Sequence, residues 1–114
     1  MHTGQNAFGE YLKHLIKTAG MTHVSFYTEL DIGKPYFYDV LSGRLNAFPP
    51  HLQFKAMEIL KADKQTRSRF FDMSADLRGE MPADIKVIID KDPTLINEIR
   101  LLLHKLLAAQ EENV

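Results

Sequence analysis

Apolar side chains recur at every third or fourth position along most of this chain, and that spacing restricts it to an all-helical fold. A helix brings one face back to the core at this interval, whereas a half-buried strand alternates apolar and polar residues. The first such face consists of Phe8, Leu12, Leu15, Ile16 and Ala19. No segment shows sustained strand alternation. We therefore predict the all-α class.

Helix start and stop signals divide residues 1–78 into five predicted helices. Thr22 and Asp63 suit N-caps, because each side chain can accept a hydrogen bond from a backbone amide that the helix leaves unpaired. Pro35 suits the first turn of the third helix, where its missing amide proton costs little. Gly43 tolerates the left-handed conformation that ends this helix. We expect these five helices to form one domain.

Residues 79–114 form a C-terminal helical extension in this interpretation, because Gly79 and Pro82 interrupt the helical pattern. Asp92 and Pro93 predict a last helix that starts at Pro93. Its wide apolar face comprises Leu95, Ile96, Ile99, Leu102, Leu103 and Leu106. Either this face covers the five-helix domain, or it pairs with the same helix of a second copy. The width of the face favours the second interpretation, so we expect dimerisation through this helix.

Composition excludes several classes of protein. The chain has no cysteine, which removes disulfide scaffolds, thiolate metal sites and cysteine nucleophiles. No apolar run approaches the roughly 20 residues that a membrane helix needs, and the N-terminus lacks the basic and apolar blocks of a signal peptide. The histidines show no metal-site spacing. We expect a cytoplasmic protein that does not associate with membranes, is not an enzyme and uses no cofactor or metal.

The net charge of −1 conceals an asymmetry along the chain. Up to Phe70 there are nine Lys and Arg against six Asp and Glu, a balance of +3. From Phe71 onward five basic residues stand against nine acidic ones, a balance of −4. A basic N-terminal part can direct one face toward a polyanion such as DNA. Two ordinary solvated surfaces produce the same asymmetry, so charge permits DNA binding without demonstrating it.

The second and third predicted helices are joined by only three or four residues. This is the arrangement of a helix-turn-helix, whose second helix enters the major groove of duplex DNA while the first crosses the backbone. The stretch from Phe8 to Pro50 resembles the Cro and λ-repressor type of helix-turn-helix, the XRE family. Its run IGKPYFYDVLSGR, residues 32–44, matches that family's turn, recognition helix and closing glycine. Downstream, DMSADLRGEMPADI resembles the tail of a bacterial subgroup of these regulators.

The resemblance implies a sequence-specific transcriptional repressor that binds a palindromic operator as a homodimer. His23 stands where the family usually has a glutamine that hydrogen-bonds a DNA phosphate. Lys34, Pro35 and Asp39 occupy positions that typically face base edges, where Lys34 can donate to guanine and Asp39 can accept from cytosine. The resemblance adds as further DNA contacts Tyr36 and Tyr38 of the recognition helix and Arg44 and Asn46 of the loop that follows it.

Several residues depart from the family pattern and keep a second interpretation open. Tyr27 replaces a small alanine, Leu41 replaces a frequent glutamate, and Gly33 stands where serine or threonine is commoner. Asp31 replaces the turn glycine and must adopt a left-handed conformation. The recognition helix is aromatic and weakly basic for a DNA reader. The alternative function is an antitoxin or a phage-type module that uses the same fold to bind a toxin or a host protein.

Overall fold

A computed structural model describes residues 3–112 of the chain and the side chains of residues 7–111. Within this range the protein consists of helices and connecting segments without strands, which confirms the all-α class. The helices are α1 (Thr3–Thr18), α2 (His23–Leu30), α3 (Lys34–Leu41), α4 (Pro50–Ile59), α5 (Lys64–Arg78), α6 (Ala83–Lys91) and α7 (Leu95–Glu112). The five helices predicted for residues 1–78 correspond to α1–α5, and α6 and α7 belong to the predicted C-terminal extension, so the described residues form seven helices in all.

The chain divides into two compact units, with the boundary between Ala83 and Asp84. The first unit contains α1–α5, and the second contains α7 and all but the first residue of α6. The boundary predicted from the sequence, between residues 78 and 79, falls earlier, at the end of α5. Ala83 belongs to the first unit because its side chain is buried in the core cluster of that unit. None of the described helices combines the length and apolarity that a membrane crossing demands.

Phenylalanine rings fill the core of the first unit. Six are fully buried: Phe8, Phe26, Phe37, Phe48, Phe70 and Phe71. Phe8 of α1 packs against Phe70 of α5 with ring centroids 5.4 Å apart, and Phe54 of α4 packs against Phe71 at 4.9 Å. The adjacent residues Phe70 and Phe71 are both buried because α5 lies against two helices, α1 and α4. A helix with two neighbours covers a wider arc than one amphipathic stripe.

The N-caps predicted at Thr22 and Asp63 are confirmed. The Thr22 hydroxyl accepts from the Ser25 amide at 3.0 Å, and the Ser25 hydroxyl oxygen accepts from the Thr22 amide at 3.0 Å, which closes a reciprocal capping box at α2. The Asp63 carboxylate accepts from the Thr66 amide at 2.7 Å at the start of α5. This hydrogen bond from the Thr66 backbone lowers the pKa of the Asp63 carboxyl. Gly43 follows α3 with φ of 84°, in the left-handed region.

The last helix begins at Leu95, two residues after the start predicted at Pro93. Asp92 accepts from the Thr94 amide at 3.2 Å through its side chain and from the Leu95 amide at 3.0 Å through its carbonyl. These bonds hold residues 93 and 94 in a turn ahead of the helix. Asp92 therefore anchors the turn that leads into α7 instead of capping a helix at Pro93.

The segment between α3 and α4 is held against the first unit by two side chains. Gln53 is buried and donates from Nε2 to the Phe48 carbonyl at 2.6 Å. Arg78 at the end of α5 donates from Nη1 to the Ala47 carbonyl at 3.3 Å. Ala47 and Phe48 are themselves buried. The segment that follows α3 is therefore fixed by packing and hydrogen bonds, although it has no regular secondary structure.

Gly9 sets the distance between α1 and α3. It is buried, and a Cβ atom built on it would lie 2.0 Å from the Leu41 carbonyl oxygen and 3.1 Å from the Leu41 carbonyl carbon. Both are backbone atoms, so no side chain can move aside to make room. The backbones of α1 and α3 therefore touch at this point, and only glycine permits the contact.

We expect Gly9→Ala to destabilise the protein by at least about 2 kcal/mol, because α1 must move away from α3 to admit one methyl group. Chemical denaturation followed by far-UV circular dichroism measures the effect. Gly33→Ser is the matched control, since its Cβ would meet only Pro35 Cδ at 3.7 Å and serine is a good N-cap. Equal stability of Gly9→Ala and the wild type would contradict the close approach.

Candidate nucleic-acid interface

A three-residue turn joins α2 to α3. Asp31 adopts φ of 61° and ψ of 46°, so the left-handed conformation expected at this position is confirmed. Its amide donates to the Thr28 carbonyl at 3.1 Å, and the Ile32 amide donates to the Tyr27 carbonyl at 3.1 Å. Gly33 then caps α3 in an extended conformation without a side-chain hydrogen bond. The turn is closed by backbone bonds to α2, and it fixes where α3 begins.

Phe37 fixes the rotation of α3 about its axis. Its ring is fully buried and lies 5.9 Å from the Phe26 ring and 5.4 Å from the Tyr27 ring, both on α2. Tyr27, which replaces the small residue of the family pattern, is partly buried against the core. Because Phe37 points inward, the side chains on the opposite face of α3, about half a turn away, point outward. The two helices are thus locked by aromatic packing.

The outward face of α3 presents a short and mainly uncharged surface. Lys34 and Pro35 are exposed at its N-terminal end, and Tyr38 is 39% exposed. Val24 on α2 is 59% exposed and was not predicted as a surface residue of functional interest. In the sequence, the only sign of such a position is a single apolar residue outside the apolar face of the helix. This sign is weak, because scattered apolar residues are common on protein surfaces.

Tyr36 differs from the other predicted contacts on α3. It is partly buried, and its ring lies 6.1 Å from the buried Phe48 ring. Burial raises the pKa of the Tyr36 hydroxyl, with the nearby Arg78 charge acting in the opposite direction. The Tyr36 ring therefore contributes to the packing of the segment after α3, and less of it is available to a ligand than of Tyr38.

His23 and Tyr38 lie side by side. The His23 Nδ1 and Tyr38 Oη atoms are 3.4 Å apart, and the two rings meet edge to face with centroids 6.0 Å apart. Both residues line an open cleft of about 410 Å³ together with Lys13, Leu41 and Ser42. Lys13 belongs to α1, and only the packing of α1 on α3 brings it here. No sequence pattern predicted Lys13 as part of this surface.

Asp39 and Arg44 form an ion pair. Arg44 Nη1 lies 3.1 Å from Asp39 Oδ1, and the Arg44 side chain is 77% exposed. From the sequence we expect Asp39 to contact a base and Arg44 to contact DNA from the following loop. In the structure the two charges neutralise each other. Asn46 is exposed in the following segment, beside Leu45, which is also exposed. The candidate surface therefore brings together His23 with Tyr38 and Asp39 with Arg44, while Lys34 lies at the end of α3.

The second unit carries the residues predicted for dimerisation. Leu95 is partly buried, and every side chain from Ile96 to Glu111 is exposed. The exposed set includes all of the remaining predicted residues: Ile96, Ile99, Leu102, Leu103 and Leu106. Ile96, Ile99 and Leu103 also line a groove of about 260 Å³ along α7 with Arg100 and His104. An apolar surface of this extent on one helix is typical of an interaction site.

Among the described residues, no cluster of three or more histidine, aspartate or glutamate side chains has the geometry to hold a metal ion. Comparison with known proteins found no matching family model, no similar curated protein and no similar solved structure.

Proposed function

We propose that this protein is a sequence-specific DNA-binding repressor of transcription that inserts α3 into the major groove of a palindromic operator. The observation that carries the proposal is the unit formed by α2, the Asp31 turn and α3. This unit has a left-handed residue closing the first helix and an outward face on the second that includes Lys34 and Tyr38. The same combination underlies the resemblance to the XRE family.

The dimensions of α3 suit this role. It has eight residues, so it is about 12 Å long, and the major groove is about 12 Å wide. Its N-terminal end carries Lys34, which adds a positive side chain to the positive end of the helix dipole. His23 at the start of α2 offers a ring nitrogen that can donate to a phosphate. Base contacts would come from Lys34, Pro35 and Tyr38, and phosphate contacts from His23 and Asn46.

A single α3 supplies few cations, so the proposal requires two copies. Phosphate neutralisation normally provides much of the affinity for DNA, and Arg44 is already engaged by Asp39. Two copies joined through the apolar face of α7 would contact two half-sites about 34 Å apart, one turn of DNA. The operator would then be palindromic, because a two-fold protein dimer reads the same half-site twice.

A second candidate function is the binding of a protein partner, such as a toxin or a host protein. The specific observation that favours it is the apolar character of the surface around α3, where Val24 and Tyr38 are exposed and the Asp39–Arg44 pair cancels its own charge. Exposed aromatic side chains are enriched at protein interfaces. Both candidate functions would use the surface around α3, so DNA and a protein partner would compete for it.

Selection of duplex DNA from a random library by the full-length protein tests the main proposal. We expect enrichment of a palindromic sequence, and Lys34→Ala should weaken binding to it by about 1–3 kcal/mol if Lys34 makes a base contact. If Lys34 contacts a phosphate instead, affinity should fall equally for all sequences and the salt dependence should decrease by about one ion. Lys64→Ala is the control, because Lys64 is exposed at the start of α5, at the opposite end of that helix from Arg78, which lies near Tyr36 of α3. Absence of any enriched sequence would contradict the proposal.

Asp39→Asn gives an independent measurement on the same face. Removing the carboxylate charge releases Arg44 to contact a phosphate, so affinity for non-specific duplex should rise several-fold, with a log–log salt slope steeper by about one. Asp76→Asn on the exposed surface of α5 is the matched control and should change neither quantity. Fluorescence anisotropy with a labelled duplex at several salt concentrations measures both. Identical behaviour of the two variants would place the α3 face outside the DNA contact.

The dimer is tested by charges on α7. Ile99→Glu together with Leu103→Glu would place unpaired carboxylates in the interface, at a cost of at least about 3 kcal/mol to association. We expect a folded monomer by light scattering and loss of cooperative operator binding. Leu101→Glu is the control, because Leu101 is 64% exposed and lies on the opposite side of the helix. A dimeric double variant would show that the interface lies elsewhere.

A further inference from the structure

We propose that the α7 helices of two copies pair antiparallel, with Ile99 of each copy opposite Leu102 of the other. The inference deepens the proposed dimer and rests on it. It concerns only the second unit, where α7 exposes its side chains from Ile96 to Glu111. We identify the partner as a second α7 because the apolar and charged side chains of α7 match those of a copy that runs in the opposite direction.

The apolar face of α7 has the spacing of a two-helix seam. Leu95, Ile99, Leu102 and Leu106 follow one another at alternating steps of four and three residues, as the two core positions of a coiled-coil heptad do. Ile96 and Leu103 lie along one edge of this seam, and both are exposed. Together with Ile99, Arg100 and His104 they line a groove of about 260 Å³ beside this edge.

The opposite edge of the seam carries two charges of opposite sign. Glu98 and Lys105 occupy equivalent positions one heptad apart, which is about two turns of helix, and they precede Ile99 and Leu106 respectively. The four ion pairs found among the described residues involve neither of them. Charged residues that flank a coiled-coil seam select the partner and set the relative direction of the helices. Glu98 and Lys105 therefore distinguish the two possible directions.

In the antiparallel direction one register satisfies all of these side chains together. When Ile99 faces Leu102 of the second copy, Leu95 faces Leu106 and Ile96 faces Leu103 across the seam. The same register places Glu98 beside Lys105 of the second copy. Because a two-fold interface repeats each contact, the second copy's Glu98 also meets Lys105 of the first. The two-fold axis passes between Arg100 and Leu101.

In the parallel direction the charges have no such partners. Each edge residue then faces the opposite edge of the neighbouring helix, so Glu98 would meet the apolar Leu103 and Lys105 would meet the uncharged Gln110. The parallel pair would lose two ion pairs and place a carboxylate against an apolar side chain. Leu101 lies outside the seam in both directions, so it does not decide between them.

Charge exchange tests the direction of pairing in the absence of DNA, which separates it from the proposed DNA binding. In Glu98→Lys each homodimer would contain two Lys–Lys contacts, and in Lys105→Glu two Glu–Glu contacts. We expect the dimer dissociation constant of each variant to rise roughly tenfold. An equimolar mixture of the two should form heterodimers with nearly the wild-type constant, because every contact becomes Lys–Glu again. Sedimentation velocity and energy transfer between labelled copies measure these constants.

Disulfide trapping gives a second readout that does not depend on the strength of the ion pairs. The chain has no cysteine, so Ile99→Cys and Leu102→Cys each introduce a single thiol. Under equilibrating glutathione the mixture should form a 99–102 disulfide in preference to either homodimeric one, because facing core positions bring the Cα atoms within disulfide range. Preferential 99–99 and 102–102 disulfides, or dissociation constants unchanged by charge exchange, would overturn the antiparallel register. Failure of DNA binding with these results intact would overturn only the proposed function.

Discussion

The burial of Phe37 is the constraint on which the candidate DNA-binding surface depends. Its ring is enclosed by α2, 5.9 Å from Phe26 and 5.4 Å from Tyr27, and once it points inward the rotation of α3 is fixed. Gly9 completes the constraint from the other side, because α1 approaches the α3 backbone too closely to admit a Cβ atom. Lys34 and Tyr38 are exposed as a consequence of these two contacts, since an amphipathic helix that buries its apolar face presents the opposite face to solvent.

The excess basic residues of the N-terminal part of the chain do not form one positive patch, because several of them are engaged in local contacts. Arg44 pairs with Asp39 at 3.1 Å, and Lys13 pairs with Glu10 at 3.1 Å. On α5, the Arg69 guanidinium lies 4.6 Å from the centre of the Tyr11 ring. Since electrostatic attraction to phosphates is modest on such a surface, affinity would have to come from shape, from contacts of exposed aromatic side chains and from the doubling of the site in a dimer.

The second unit carries the apolar surface through which the proposed dimer would form. A helix of 18 residues is only marginally stable in water without tertiary packing, and α7 exposes the branched aliphatic side chains that would provide it. The proposed pairing of two such helices would remove these side chains from water on both copies at once, so helix stability and dimerisation would become one equilibrium. In the proposed antiparallel register, the ion pairs between Glu98 and Lys105 would select the relative direction of the two helices, which apolar contact alone does not.

The sequence by itself determined the all-helical class and several helix ends, because these depend on neighbours within four residues, although the start of α7 was predicted two residues early. The Thr22 cap and the left-handed Asp31 follow from local hydrogen bonding. What only the tertiary structure decided is which side chains of a helix meet other elements. Tyr36 looks like its aromatic neighbours in α3, yet its ring packs on Phe48, in a segment that the buried Gln53 holds through a hydrogen bond to the Phe48 carbonyl. Such placements depend on packing between residues distant in the chain, and hydrophobic periodicity carries no information about which elements will touch.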